Sequence, residues 1–347
     1  MLSDGLVPAK EKEPVSSPPA LSQQAAQLPG APLPTSERIR ANRSASKADE
    51  TKRALAKNWS LFEGWCRTVG ASALPAVPET VEAFLVHLAD DHPVCNRQGA
   101  LVRHGMRPSS VMQALWALNL RHVWAGLPEP GKSAIVRTAI AGIRRRKAHR
   151  PKQQAPLTIE QIAAVPFPDD LKGLRDRALL LIGFAGCFRR SELVALRFED
   201  LEEARYGLRV YLAHSKTDAQ GRGAWVDIVR AVRFPHACPV AALHAWLGAA
   251  GIDSGPLFRR VTRGAHPTAG PSLSAVSVDS IVKSAVRRLR LDPSQFGAHS
   301  LRAGKATYLA RANKSPALIA KHGRWKSMDM VLRYFRDDTA EGLSGVY

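Results

Sequence analysis

Helical periodicity most constrains the first half of this chain. Four apolar side chains recur at i, i+4, i+7 and i+11, the spacing of one helix face: Leu55, Trp59, Phe62 and Cys66. Similar patterns follow the proline break at 75–78, start after Pro108, and run from about Lys132 into a basic stretch that ends at residue 147. We therefore predict a helical domain over residues 36–147.

Segments without periodicity flank and interrupt these helices. Residues 1–35 are rich in Pro, Ala, Ser and Gln, and this composition predicts a disordered tail. The stretch 90–106 is expected to be an extended loop between two helices. Residues 148–157 contain two prolines and excess positive charge, which is typical of an interdomain linker. The next helix is expected to open with a capping box formed by Thr158 and Gln161.

The second half, residues 158–347, is predicted to be a mixed domain. Leu208, Val210 and Leu212 alternate with other residues as in a strand, and a return strand is expected near 225–229, after a turn at 218–223. Helices are predicted near 176–188, 239–250, 275–290, 300–312, 315–322 and 327–336. The predicted fold class is therefore mainly α with a small antiparallel β-sheet in the second domain.

The charge of the chain indicates an anionic partner. The 50 Lys and Arg residues exceed the 30 Asp and Glu residues, so the formal net charge is +20. Both halves carry an excess of basic residues, which favours nucleic acid held from two sides. No apolar run approaches the roughly 18–20 residues of a spanning helix, and charged residues from Lys10 onward interrupt any signal peptide. We expect no membrane partner and a location in the cytosol.

Cysteine usage agrees with a reducing compartment. The four cysteines are widely spaced and include no Cys-x-x-Cys pair, which argues against a zinc site or a disulfide framework. We expect them to be buried thiols, since free cysteine behaves as a small hydrophobic residue.

Six polar residues of the second half supply the groups needed to break a phosphodiester without metal: Arg189, Lys216, His299, Arg302, Trp325 and Tyr334. Attack on a phosphodiester builds charge on its non-bridging oxygens, and guanidinium groups stabilise that charge with fixed, parallel donors. Because His299 stands three residues before Arg302, one helix face presents an acid or base beside a phosphate clamp. Arg189 is expected near the end of an apolar helix.

Taken singly, these residues have ordinary structural explanations, such as a surface arginine, a turn lysine or a core aromatic. Glu192 could form a simple ion pair with Arg189, and we expect it to orient that guanidinium. A tyrosine phenol has a pKa near 10, so a nucleophilic Tyr334 needs a cationic pocket or a base. The occurrence of all six residues together favours phosphodiester chemistry.

In this order, the set resembles the tyrosine recombinase, or phage integrase, family over residues 36–347. Trp325, where most members have histidine, and its nine-residue step to Tyr334 resemble the Cre-like branch of that family. The resemblance implies a two-domain, C-shaped DNA clamp. It also implies that Tyr334 attacks the scissile phosphate and leaves a 3′-phosphotyrosine, while His299 acts as acid or base.

The resemblance further implies that Arg189, Arg302 and Trp325 hold the non-bridging oxygens and that Lys216 protonates the departing 5′-oxygen. Strand exchange would pass through a Holliday junction in a tetramer on two double-stranded DNA sites, with no metal, ATP or other cofactor. Two alternatives stay open, a DNA-relaxing enzyme of the type IB topoisomerase kind and a non-catalytic DNA-binding protein with this fold. The candidate DNA-binding residues are Arg107, Ser109, Arg144, Arg145, Arg146 and Arg190.

Overall fold

The structure is a computed structural model that describes residues 49–96, 98–148, 153–213, 223–232, 234–262 and 271–335. The chain divides into two compact units, Met1–Arg150 and Pro151–Tyr347. The predicted N-terminal tail, the turn that carries Lys216, and the tail after Phe335 lie outside the described residues.

The described part of the first unit contains the predicted helices, α1 (Asp49–Val69), α2 (Pro78–Asp90), α3 (Pro108–Trp124) and α4 (Ala134–Arg146). Prolines open α2 and α3 at the first position, where the missing N–H leaves no helical hydrogen bond unmade. The four side chains that define the periodic face of α1 are all buried. Phe62 of α1 packs on Phe84 of α2 with ring centroids 4.9 Å apart, so the apolar faces meet in one core.

One expectation for the first unit is wrong. The stretch 90–106 contains an antiparallel hairpin, β1 (Pro93–Cys95) and β2 (Leu101–His104), with an irregularity between Val94 and Cys95. All four residues of β2 are exposed. Because neither face of β2 is buried, the sequence has no alternation of apolar and polar residues to predict the strand.

The second unit is mainly helical, as predicted, with α5 (Ile159–Ala163), α6 (Leu171–Ala185), α7 (Arg190–Ala195), α8 (Pro239–Ala250), α9 (Ala275–Arg288), α10 (His299–Arg311), α11 (Pro316–Gly323) and α12 (Met328–Leu332). The capping box at the start of α5 is confirmed, since Gln161 N–H donates to Thr158 Oγ1 and Thr158 N–H donates to Gln161 Oε1. The apolar side of α6 lies at the centre of the core.

An antiparallel sheet completes this unit, with strands β3 (Leu201–Ala204), β4 (Gly207–Leu212) and β5 (Ala224–Val229) in the order β3-β4-β5. The buried positions of β4 include the alternating residues Leu208, Val210 and Leu212, which confirms that strand. The sequence did not predict β3, because two adjacent glutamates occupy its middle.

Helix α7 was not predicted, and helices α6 and α12 differ by several residues from their predicted bounds. Helix α6 starts at Leu171, where the Asp170 side chain accepts a hydrogen bond from Gly173 N–H. It ends at Ala185, so it stops before Phe188, because Cys187 adopts a left-handed φ of 52°. Helix α12 ends at Leu332, and Tyr334 therefore lies in the turn that follows it.

Part of the predicted linker is packed within the second unit. Ala155 N–H donates to Gln295 O at 2.8 Å, and Leu157 N–H donates to Ser300 O at 3.0 Å. The Leu157 side chain is fully buried. Residues 155–157 thus anchor the start of this unit against the loop before α10 and its first turn.

The cysteines only partly follow expectation. Cys66 and Cys187 are buried, Cys238 is half-buried, Cys95 is exposed on β1, and all four are free thiols. None of the helices among the described residues has the length and apolar character to cross a bilayer.

Candidate active site

Arg189 lies at the start of α7 rather than at the end of an apolar helix. Its backbone is extended, with φ −73° and ψ 153°, and it is the residue that precedes the first turn of α7. Its Nη1 donates to Glu192 Oε1 at 2.5 Å, and its backbone N–H donates to Glu192 Oε2 at 2.9 Å. The expected contact between Glu192 and Arg189 is therefore present, and it is made by a side chain as well as a backbone donor.

Glu192 is a buried carboxylate. Burial raises its pKa, but the charge of Arg324, the backbone N–H of Arg189 and the Arg189 guanidinium together outweigh that effect, so the pKa lies below its ordinary value. The carboxylate is therefore ionised at neutral pH and holds two guanidinium groups.

Arg302 is the most deeply buried cation of the site, with 1% of the residue exposed. Its Nη1 donates to Cys187 O at 2.6 Å, while Nη2 is buried with no hydrogen-bond partner among the described residues. Burial lowers the pKa of the guanidinium to about 10, which leaves it charged at neutral pH. A buried guanidinium with an unmet donor is suited to an anionic oxygen, because buried polar groups are otherwise satisfied.

His299 opens α10 and is exposed at the surface of the unit. Desolvation by the surrounding protein, followed by the charges of Arg302 and Arg189, lowers the pKa of its imidazole. The residue before it is held by α9, since Asp279 Oδ1 accepts a hydrogen bond from Ala298 N–H at 3.1 Å. At neutral pH the imidazole is mostly uncharged and can accept a proton.

Trp325 and Tyr334 pack against each other, with ring centroids 5.5 Å apart and planes at 52°. The indole folds back over Gly323, where an added Cβ would lie 1.8 Å from Trp325 Cζ3. On its other side, Arg302 Cζ lies 4.0 Å from the indole centroid. Trp325 thus connects the buried arginine to the tyrosine.

The phenol of Tyr334 is half-buried. Burial is the main cause that raises its pKa, while the charges of Arg302 and Arg333 oppose the rise. The phenol is therefore protonated at neutral pH, and its use as a nucleophile requires a base.

The described contacts connect Arg189, Arg302, Trp325 and Tyr334. His299 lies near enough for the charges of Arg302 and Arg189 to lower its pKa. Lys216 lies outside the described residues. Among the described residues, no group of three His, Cys, Asp or Glu side chains could hold a metal ion. The sequence reasoning missed Arg324, which donates to the Glu192 carboxylate and to the Cys187 carbonyl that also receives Arg302. It also missed Asp279, which holds the backbone of the residue before His299. The position of Arg324 directly before Trp325 was a signal that could have found it.

The candidate DNA-binding residues have different environments. Arg107 and Ser109 are exposed at the start of α3, Arg144 and Arg145 are exposed on α4, and Arg190 is exposed on α7. Arg146 instead donates to both carboxylate oxygens of Asp90, at 3.2 and 2.9 Å, and so joins α4 to the end of α2.

Two arginines, a largely uncharged histidine and a protonated tyrosine beside a tryptophan are chemically suited to phosphoryl transfer. Residues 156–341 match the model of the phage integrase family. A Selenomonas ruminantium protein described as an integrase/recombinase xerD homolog is 38% identical over 295 residues, which cover 83% of this chain and 82% of that protein. The chain therefore belongs to the phage integrase family and is a tyrosine recombinase, an enzyme of site-specific recombination.

Other relatives agree with this assignment. The recombinase Cre of Escherichia phage P1 is 25% identical over 308 residues and is matched over 83% of both chains. The fold is similar to that of the Tn1549 transposon integrase in complex with transposon right end DNA, with a TM-score of 0.58, 13% identity and coverage of 89% of this chain and 96% of that chain. A λ integrase dimer bound to a core site has a TM-score of 0.55 at 15% identity, covering 86% and 92% of the two chains.

Proposed function

We propose that this protein cleaves and rejoins double-stranded DNA at specific sites through a 3′-phosphotyrosine intermediate. The observation that carries the proposal is the buried Arg302, which has an unmet Nη2 donor and stacks on the indole that contacts Tyr334. A scissile phosphate would supply the missing acceptor beside the nucleophile.

In the proposed cleavage step, the Tyr334 oxygen attacks phosphorus and the bond to the 5′-oxygen breaks. His299 takes the phenolic proton, because its lowered pKa keeps it uncharged at neutral pH. Lys216 gives a proton to the departing 5′-oxygen. Arg189 and Arg302 bind the non-bridging oxygens, where negative charge develops in the transition state.

The covalent link conserves the energy of the broken bond, so rejoining needs no ATP. A 5′-hydroxyl from the partner strand attacks the phosphotyrosine and gives its proton to Lys216, while Tyr334 leaves and His299 returns the phenolic proton. Two such exchanges pass through a Holliday junction, in a tetramer that holds two DNA sites. Among solved neighbours, the λ integrase complex is described as a dimer bound to one core site.

The proposal extends to organisation and location. Residues 36–147 would serve as a DNA-binding domain and residues 158–347 as the catalytic domain. Excess positive charge in both halves supports this arrangement, since phosphate contacts supply most of the affinity of such proteins. The protein would act in the bacterial cytosol, where its DNA substrate lies.

The test begins with a duplex selected from a randomised library by binding to the full chain. A nick placed beside the cleavage position lets a short product diffuse away, so that a covalent adduct accumulates. The wild-type protein is expected to form the adduct, and Tyr334→Phe is expected to bind the duplex without forming it. An adduct formed by Tyr334→Phe would overturn the assignment of the nucleophile.

The same assay separates the two alternatives. Relaxation of a supercoiled plasmid that lacks the selected sequence, with no exchange between sites, would indicate a topoisomerase-like enzyme. Specific binding with no adduct from the wild-type protein would indicate a non-catalytic DNA-binding protein.

A further inference from the structure

Arg324 occupies a backbone conformation that arginine rarely adopts. It follows α11 with φ 57° and ψ 44°, the left-handed region that glycine enters without steric cost. Only 10% of its side chain is exposed. A strained backbone that carries a buried cation indicates that the side chain has a specific task.

The guanidinium of Arg324 joins three parts of the second unit. Its Nη1 donates to Gly186 O at 3.2 Å and to His322 O at 2.9 Å. Its Nη2 donates to Cys187 O at 3.1 Å and to Glu192 Oε2 at 2.9 Å. Its Cζ lies 5.3 Å from the ring centroid of the buried Phe188. These contacts connect the end of α11 to the segment between α6 and α7.

The same acceptors hold the two arginines of the phosphate clamp. Glu192, which receives Arg324, also receives the Arg189 guanidinium, and Arg189 Nη2 donates to the backbone carbonyl of Arg324 at 3.4 Å. Cys187 O, which receives Arg324, also receives Arg302 Nη1 at 2.6 Å. Arg324 is thus linked to each clamp arginine through a shared acceptor.

From these contacts we propose that Arg324 is a positioning residue of the phosphate clamp, an inference that rests on the proposed function. It fixes the Glu192 carboxylate and the Cys187 carbonyl, and these in turn set the directions of Arg189 and Arg302. Four donor contacts to protein acceptors engage its two terminal nitrogens, and its Nε is buried with no hydrogen-bond partner among the described residues. Because both terminal nitrogens are already held by protein acceptors, we assign Arg324 the task of orienting other donors.

The left-handed backbone offers a sharp test. Arg324→Gly removes the guanidinium and relieves the backbone, so the variant is expected to fold. Arg290 also has a left-handed φ, 59°, at the end of α9 and is exposed, so Arg290→Gly is the matched control for the backbone effect. Arg324→Lys keeps a charge but lacks the planar fork that reaches several acceptors at once.

The measurement is the single-turnover cleavage rate at saturating selected duplex, with melting temperature and DNA affinity recorded beside it. Arg324→Gly is expected to cleave roughly 100-fold more slowly, because a small misplacement of catalytic donors has an effect of that size. Arg324→Lys is expected to recover part of the loss, and Arg290→Gly is expected to cleave at the wild-type rate.

A second substrate tests whether the slower cleavage by Arg324→Gly arises from the phosphate clamp. A methylphosphonate at the scissile position removes the charge of one non-bridging oxygen, so the ratio of wild-type to Arg324→Gly rates is expected to shrink. Three results would overturn this inference alone. They are an Arg324→Gly cleavage rate equal to that of wild type, an equal fall in rate on both substrates, and a similar fall in rate for Arg290→Gly. Absence of cleavage by the wild-type protein would overturn the proposed function as well.

Discussion

The guanidinium carbon of Arg302 lies 4.0 Å from the centroid of the Trp325 ring, within the distance of a strong cation–π contact. The two residues belong to different helical segments of the second unit, α10 and the turn after α11. The indole therefore contacts both a buried cation and the Tyr334 ring.

Trp325 can be tested with graded substitutions. Trp325→Phe keeps an aromatic face for Arg302 but loses the indole N–H, and we expect cleavage to slow by about 100-fold, the usual effect of losing one electrostatic donor. Trp325→Ala removes the aromatic face as well and should cleave more slowly still. Trp225→Ala is a matched control, since Arg209 stacks on that ring at 4.6 Å on the sheet, and it should cleave normally. Equal rates for Trp325→Ala and wild type would contradict the assignment.

The pH dependence of cleavage tests His299. Because its folded pKa lies below the ordinary value, the imidazole is an available base above about pH 6.5 and is lost as a base when it protonates at lower pH. Single-turnover cleavage should be flat from pH 7 to 8 and fall by about tenfold per unit in acid. His244→Gln, on a surface histidine paired with Glu203, should leave this profile unchanged. A wild-type rate that stays constant into acid would contradict a role for His299 as base.

The Glu192 carboxylate should contribute to stability at neutral pH. Its folded pKa is depressed, so the contribution is complete above the ordinary pKa of about 4.3 and is lost as pH falls through the folded pKa. Glu192→Gln should lower the free energy of unfolding in urea by about 3 kcal/mol at pH 7, since one partner of a buried ion pair is removed. The difference in free energy of unfolding between wild type and Glu192→Gln should narrow below about pH 4.

The control for this measurement is Glu160→Gln, on an exposed residue of α5, which should change the free energy of unfolding by less than about 0.5 kcal/mol. A Glu192→Gln difference that is independent of pH would show that the charge of the carboxylate is not what stabilises the site.

Substitutions at the basic end of α4 can distinguish arginines that contact DNA from an arginine that stabilises the first unit. Arg144→Ala and Arg145→Ala should weaken binding of all duplexes alike and reduce the salt slope by about one each, as expected for phosphate contacts. Arg146→Ala should also release Asp90 and lower the melting temperature. Filter binding at several salt concentrations and thermal melting check both outcomes. Equal melting temperatures for the three variants would contradict the packing role of Arg146.

Local patterns in the sequence determined much of this protein. The apolar faces of the helices, the alternation along β4 and the capping box of α5 depend on spacings within one segment, and the structure confirms each of them. The candidate site residues could be picked out because their side-chain chemistry suits one reaction and because they occur together in one order.

Contacts between distant segments were decided only by tertiary structure. The pairs of Arg324 with Glu192 and of Arg302 with Cys187 join residues 132 and 115 positions apart, and no local spacing encodes them. The exposed hairpin at 93–104 escaped prediction because its strands bury no face, and Arg189 was placed on the wrong helix because the left-handed turn at Cys187 has no periodic signal. Periodicity in a sequence reports which face of one element is buried, whereas the direction of a buried cation depends on which carbonyls and carboxylates packing brings to it.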